Sequence, residues 1–303
     1  MSGFRSINEN SNINDLADLF EIFAIKNNRA SKSDIKNYLD IQSDNDLNTG
    51  IEDNDSKVDN KLDSVLEEIA RRKNILKDRY PFEISDTGTS IIFISPNDDD
   101  YPKWTYLYLL LSTRTNMRDN KVLNGIDGTL VLEYLSAEVL ANYLGDHSKT
   151  FVFGTSAQGK FAHKVNELCR AVQEGEGHNQ IPTPAQDGKL DIVGWIPFAD
   201  QRISKLIIFG QCKTGTNWKS TLQQLQPDAF IKKFIKGHFS VTPMRSFFIS
   251  QSIEFTKWRE DAIDAGILFD RYRIVEFCPQ IIDENLFNQL KSWTEEAINI
   301  ADI

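Results

Sequence analysis

The chain has 303 residues, enough for one large domain or two ordinary ones with a sizeable core, and 40% of them are hydrophobic, as in a soluble globular protein. The longest apolar run, near 104–111, is far too short to cross a bilayer. The net charge of −10 argues against a protein that clings unaided to a nucleic-acid backbone, because lysine and arginine dominate phosphate binding, but it does not exclude a nuclease.

The first ten residues lack the apolar core of a signal peptide, so the expected location is the cytoplasm. Residues 13–26 place Ile13, Leu16, Leu19, Phe20 and Phe23 at helical spacing behind Asn14 or Asp15 as cap. Asn27 to Ala30 break that pattern, and Ser31 or Ser33 opens a short second helix carrying Ile35, Tyr38 and Leu39. Residues 42–56 are polar and acidic and read as a loop. A third helix runs from about 57 to 79, with Val58, Leu62, Val65, Leu66, Ile69 and Ile75 as its apolar stripe. Two strand-like runs, 82–85 and 90–94, then flank Asp86-Thr87-Gly88-Thr89 as a hairpin.

Three helices followed by a hairpin resemble a winged helix-turn-helix domain over roughly 10–95, on the order of elements alone. In such domains a helix can enter the major groove. Here the basic end of the third helix, Arg71, Arg72, Lys73, Lys77 and Arg79, is the candidate reader. A basic last turn is also what the helix dipole favours, and docking to protein is the competing role.

Residues 101–113 are almost continuously apolar and predict a buried helix joining two halves, with 114–125 as a connection. Asp127 or Thr129 caps a helix that ends at Gly145; Leu135, Val139 and Leu140 face its core, and Glu133 and Glu138 are its acids. A short strand over 149–153 and a helix over 158–173 follow, the latter with Phe161, Val165, Leu168, Cys169 and Val172 inward. Lys160, Lys164 and Arg170 lie on its other faces, as a solvated surface or the wall of a DNA groove. Residues 174–186 form a loop. Further on come a helix near 220–236, a strand at 247–250, a helix near 254–265, a strand at 273–277 and a closing helix at 283–300. Cys169, Cys212 and Cys278 show no metal-ligand spacing, and His163 and His238 stand alone.

The chemistry gathers in 188–213. Two apolar strands, 190–196 and 205–212, are joined by a polar loop. Asp191 starts the first strand; Gln211 and Lys213 end the second, two apart and so on one face. If the runs pair as a hairpin, a carboxylate, an amide oxygen and an amine meet at one end of a sheet. That grouping suits a hard divalent cation with a lysine beside it.

A helix bearing Glu133 in Leu132-Glu133-Tyr134-Leu135, then Leu190-Asp191-Ile192-Val193-Gly194, then Gly210-Gln211-Cys212-Lys213, resembles the PD-(D/E)XK, or restriction-endonuclease-like, nuclease superfamily over about 130–280. The resemblance implies an α/β (α+β) fold, a mixed sheet flanked by helices, and hydrolysis of DNA phosphodiesters with Mg²⁺ or Mn²⁺. It implies Asp191, Gln211 and Glu133 as metal ligands, with the Cys212 backbone carbonyl as a further donor. Lys213 would orient or deprotonate the attacking water and stabilise the developing negative charge. Glu133 is preferred to Glu138 because the family's acid follows an apolar residue early in its helix. Gln211 stands where most members carry Asp or Glu, although some branches use the Gln-x-Lys form.

The organisation expected is a winged-helix-like domain over 1–100, a connecting helix and linker over 101–126, and a nuclease domain over 127–303. Together these resemble nuclease effectors of bacterial anti-phage defence systems. That class acts on DNA, expected here to be double-stranded, alongside regulatory partner proteins and without a membrane. The alternatives are a catalytically degenerate nuclease-fold scaffold or DNA-binding adaptor, and an RNA nuclease.

Overall fold

The computed structural model describes residues 4, 7–8, 10–44, 54–154, 161–178, 188–237, 239–279 and 283–301. Most of the acidic 42–56 segment, together with Lys160 and His238, lies outside them. Helix α1 (Ile13–Asn27) begins where the Asn12 side chain accepts the Asp15 N–H, and it ends at Asn28 in the left-handed region. Strand β1 (Arg29–Ser31) follows directly, in the stretch read as a break between helices. Ser31 and Asp34 then form a reciprocal cap: Asp34 N–H donates to Ser31 Oγ, and Ser31 N–H donates to Asp34 Oδ2 at 2.8 Å. That cap opens α2 (Lys32–Asp44), and α3 (Asn54–Leu76) comes next. β2 (Phe82–Ile84) and β3 (Ser90–Phe93) make the expected hairpin, and β1 joins it across β3 with Ala30 opposite Ile91.

Helix α4 (Tyr101–Arg114) is buried from Trp104 to Arg114, as its unbroken apolar run requires. It packs on α10 (Glu284–Asn299) and α9 (Arg271–Glu276) from one side of the chain and on α1 from the other. Within the expected connection sits a small hairpin, β4 (Val122–Leu123) and β5 (Ile126–Asp127). Its turn is Asn124-Gly125, both at positive φ, the pairing that a two-residue hairpin favours. Asp127 then caps α5 (Gly128–Leu144) by accepting the Thr129 N–H.

The remaining elements are β6 (Lys149–Val152), α6 (Phe161–Val172), β7 (Glu176–Gly177), β8 (Ile192–Trp195), β9 (Ile207–Lys213), α7 (Pro227–Phe234), β10 (Ile235–Lys236), β11 (Met244–Ile249), α8 (Trp258–Ala265) and β12 (Ile267–Phe269). Five of the strands form one mixed sheet in the order β12-β11-β9-β8-β6. β6, β8 and β9 run antiparallel to their neighbours, whereas β9, β11 and β12 are parallel. The protein is therefore mixed α/β, with a five-stranded sheet flanked by helices.

Two expected elements change. The helix expected over 220–236 shrinks to α7, because Pro227 has no N–H to donate and its ring would clash with the carbonyl of a preceding turn. The strand expected at 273–277 is helix α9. Asp270 caps it by accepting the Arg273 N–H, and β12, just upstream, takes the parallel place beside β11. A short apolar run alone does not separate a strand from a buried helix.

One apolar core runs from α1 through α4 and α5 to the sheet at Ile192, Ile208, Cys212 and Phe248. The opposite sheet face packs Val193, Trp195, Ile207 and Phe209 against α6 and α7. Gly194 is what seats α5: a Cβ there would lie 2.6 Å from Leu140 Cδ2, so no larger residue fits without moving the helix.

Beside α4 lies a buried charge network. Asp18 of α1 accepts from Arg72 of α3 at 2.7 Å, from Arg114 of α4 at 2.9 Å and from Arg271 of α9 at 2.7 Å. Burial alone would raise its pKa, but Arg271, Arg114 and Arg72 outweigh that and hold the carboxyl far below the usual range. Glu21 is fully buried as well and accepts from Tyr80, Tyr106 and Arg72. Burial raises its pKa, and the Asp18 charge adds to the rise, against Arg72.

This network corrects the reading of α3's basic end. Arg72 is wholly buried. Arg71 pairs with Glu68, Lys73 with Glu83, and Arg79 donates to the carbonyls of Val275 and Glu276. Four of the five cations are spent on internal partners.

Candidate active site

The two strands of 188–213 pair antiparallel, with Ile192 opposite Gly210. Asp191 stands one residue before β8 and extends its ladder on both sides. Its N–H donates to the Gly210 carbonyl at 3.0 Å, and its own carbonyl accepts from Phe153 N–H at 2.7 Å. Its carboxylate turns onto the end of β9, where Oδ2 accepts the Cys212 N–H at 2.7 Å. The carboxylate is thereby fixed against the backbone between Gln211 and Lys213.

Gln211 has no solvent exposure, and among the described residues neither atom of its side-chain amide has a hydrogen-bond partner. Leaving such a group unsatisfied costs about 1–3 kcal/mol, so its persistence at this position calls for a physical reason. Lys213 is half-buried at the strand's last position, where its carbonyl accepts the Ser250 N–H at 3.4 Å.

Glu133 reaches this end of the sheet from α5 and is 5% exposed. A Cβ on Gly154 would lie 3.9 Å from Glu133 Oε2, and Gly154 N–H donates to the Asp191 carbonyl at 3.4 Å. The acid therefore sits beside the loop that binds Asp191. The Cys212 thiol reports the same crowding: burial first, then the Asp191 and Glu133 carboxylates, push its pKa well up, with only partial offset from Ser136 and Lys213. Glu138 faces elsewhere. It is half-buried, and burial together with Asp283, the cap of α10, raises its pKa. Of the two acids on α5, Glu133 is the one brought to Asp191.

A divalent cation would meet a sparse donor set at this sheet end. Among the described residues no group of three or more His, Cys, Asp or Glu side chains is placed to hold a metal ion. The assembled set has two carboxylates, and it fits a hard cation only if the Gln211 amide oxygen and the Cys212 carbonyl contribute. The partnerless Gln211 amide is the observation in favour. The Cys212 thiol, kept protonated by burial, is unsuited as a ligand.

The other candidates do not gather here. Lys164 lies over the Phe151 ring at 5.5 Å, Arg170 is exposed, and His163 approaches Glu167 at 3.5 Å. Gly154 and Ser136 border the site without having been singled out in the sequence; a glycine after a strand and a serine one turn from Glu133 are signals too common to notice. The thiols of Cys169 and Cys278 are each raised to about 11, mainly by burial. At pH 8 all three cysteines of the folded protein are expected to resist iodoacetamide and to react on unfolding, as mass spectrometry of the alkylated chain would show; rapid native labelling would contradict their burial.

No helix among the described residues is long and apolar enough to cross a membrane. No family model, curated protein or solved structure matches the chain.

Proposed function

We propose that this protein is a divalent-metal-dependent nuclease that hydrolyses DNA phosphodiester bonds, with Asp191, Gln211, Glu133 and Lys213 as its active site. One observation carries the reading: a buried carboxylate pinned by the backbone, a buried amide without a partner and a lysine meet at one sheet end, and a second carboxylate arrives from α5. The mixed sheet flanked by helices supports the restriction-endonuclease-like resemblance.

Asp191, Glu133, the Gln211 amide oxygen and the Cys212 carbonyl would hold Mg²⁺ or Mn²⁺. When bound, the cation supplies Lewis acidity and positive charge against the phosphate. Asp191 is held for this by the Cys212 N–H, so its oxygens need little reorganisation. Lys213 orients the attacking water by hydrogen bonding and offsets negative charge developing on the phosphate.

The front elements α1, β1, α2, α3, β2 and β3 support a winged-helix-like module. With the basic end of α3 spent internally, docking to a partner protein suits this module better than groove reading. The accompanying proposal is an effector subunit of a bacterial anti-phage defence complex, held by a regulatory partner and consistent with a net charge of −10.

A second reading has a specific observation behind it. Two carboxylates and a neutral amide are a weak ligand set, which suits a nuclease-fold scaffold that no longer cuts. Calorimetric Mn²⁺ titration, run beside cleavage of supercoiled plasmid and of RNA, separates the readings. The nuclease reading expects a saturable metal site that disappears in Asp191→Ala and plasmid cleavage that EDTA stops. A site absent from the wild-type chain leaves the scaffold; cleavage of RNA alone makes the substrate RNA.

A further inference from the structure

A second feature lies at the far end of the same sheet. β9 and β11 are parallel, and both finish at the Asp191 end, with Lys213 opposite Ile249. They begin at the other end, where Lys205 Nζ donates to the Val172 carbonyl at the close of α6 and β7 pairs with β10. There a cavity of about 490 Å³ opens between the end of α7, β10 and the segment leading into β11. That volume lies within the roughly 300–1,000 Å³ usual for small-molecule sites.

The walls of this cavity differ in chemistry. Ile231, Ile235 and Phe239 give it an apolar part, and Phe239 packs against the Phe209 ring at 6.2 Å. Lys232, Lys236 and His178 also line it. Both lysines are exposed, and among the described residues neither has a carboxylate within ion-pair distance. By contrast Lys73, Lys103, Lys219 and Lys291 are each neutralised by an acid. Asp228, one helical turn before Lys232, shares the lining, and Glu176 stands opposite Lys236 across the β7–β10 pair, so the hollow carries charge of both signs. Asp228 supplies a single acceptor on the wall.

We propose that this cavity binds a nucleotide unit, free or at the end of a nucleic-acid strand, separately from the candidate active site. Lys232 and Lys236 take the phosphate as point charges. The imidazole of His178 adds a hydrogen-bond donor. The base lies on Ile231, Ile235 and Phe239, and Asp228 accepts from a sugar hydroxyl. Each kind of lining residue thus answers to one part of the ligand: anion, flat apolar ring and hydroxyl.

The test is calorimetric titration of the full chain, without divalent metal, using AMP, a 5′-phosphorylated trinucleotide and inorganic phosphate. The proteins compared are wild type, Lys232→Gln/Lys236→Gln and Asp191→Asn. AMP or the trinucleotide is expected to bind saturably, at least about tenfold more weakly in the double variant and unchanged in Asp191→Asn. Tighter AMP binding identifies a free nucleotide as the source, tighter trinucleotide binding a strand end, and either result supports the site. Absence of saturable binding by both overturns it. So does binding indifferent to the two lysines, inorganic phosphate binding as tightly as AMP, or loss in Asp191→Asn. Both lysines are exposed, so their replacement leaves the core intact. Because the readout is binding without metal, its failure is distinct from failure of the nuclease reading.

Discussion

In a plasmid-cleavage assay with Mg²⁺, Asp191→Asn is expected to cut at least about a hundredfold more slowly than wild type, and Lys213→Ala by a similar factor. The asparagine variant is the informative one. Its side-chain oxygen still accepts the Cys212 N–H that holds the residue at 2.7 Å, so the change removes charge and leaves the local fold. Lys213 is only half-buried at the strand end, and truncating it disturbs little packing. Both variants should unfold at the denaturant midpoint of the wild type. Unchanged cutting in either one sinks the assignment of that residue. Gln211→Glu provides a control in the opposite direction: a carboxylate at this buried position is expected to tighten Mn²⁺ binding, since it exchanges a neutral donor for a charged one.

The other large effect concerns stability. Asp18→Ala leaves Arg72, Arg114 and Arg271 buried without their shared counter-charge, and removing one partner of a buried pair costs about 3–5 kcal/mol. Arg271→Met is expected to fall in the same range by urea denaturation. A loss below about 1 kcal/mol would mean that the network relaxes or admits water. Acid shows the same linkage. Asp18 has a folded pKa far below its ordinary value of 3.8, so its contribution is fully present above 3.8 and is lost as pH falls from there toward the folded value. Asp18→Asn should therefore flatten the acid limb of the stability curve. Glu21 acts in the opposite sense, because burial raises its pKa and stability is lost as pH rises through that raised value.

Much of this architecture is legible in the residues. The helices α1, α4, α5 and α10 announce themselves by apolar spacing, and α5 also by its cap at Asp127; the cap of α1 falls at Asn12, before the Asn14 or Asp15 that the sequence offers, because Asn14 lies buried inside the helix. The β8–β9 hairpin and the closeness of Asp191 to the end of β9 follow from strand alternation. Strand β1 is hidden because three residues carry no period, and its existence depends on β3, some sixty positions away. α9 is hidden because Ile274 and Val275 suit a strand equally well. The fate of Arg72 is the clearest limit: five cations at a helix end look solvated until α1, α4 and α9 close around one of them. In the candidate site the positions of Gln211 and Lys213 are legible, whereas the isolation of the Gln211 amide is a property of packing alone.

Arg271 lies 253 positions beyond Asp18, and their contact closes a very long loop. The ordering entropy of that closure comes before its reward, so the contact belongs late on the folding route. Until then α1 carries an acid whose only near counter-charges are Arg72 and Arg114, and its buried face is incompletely neutralised. Arg271 also donates its Nε–H to the carbonyl of Ser250, whose own N–H donates to the carbonyl of Lys213. A chain of hydrogen bonds thus links the buried charge network to the strand end that carries the candidate site's lysine.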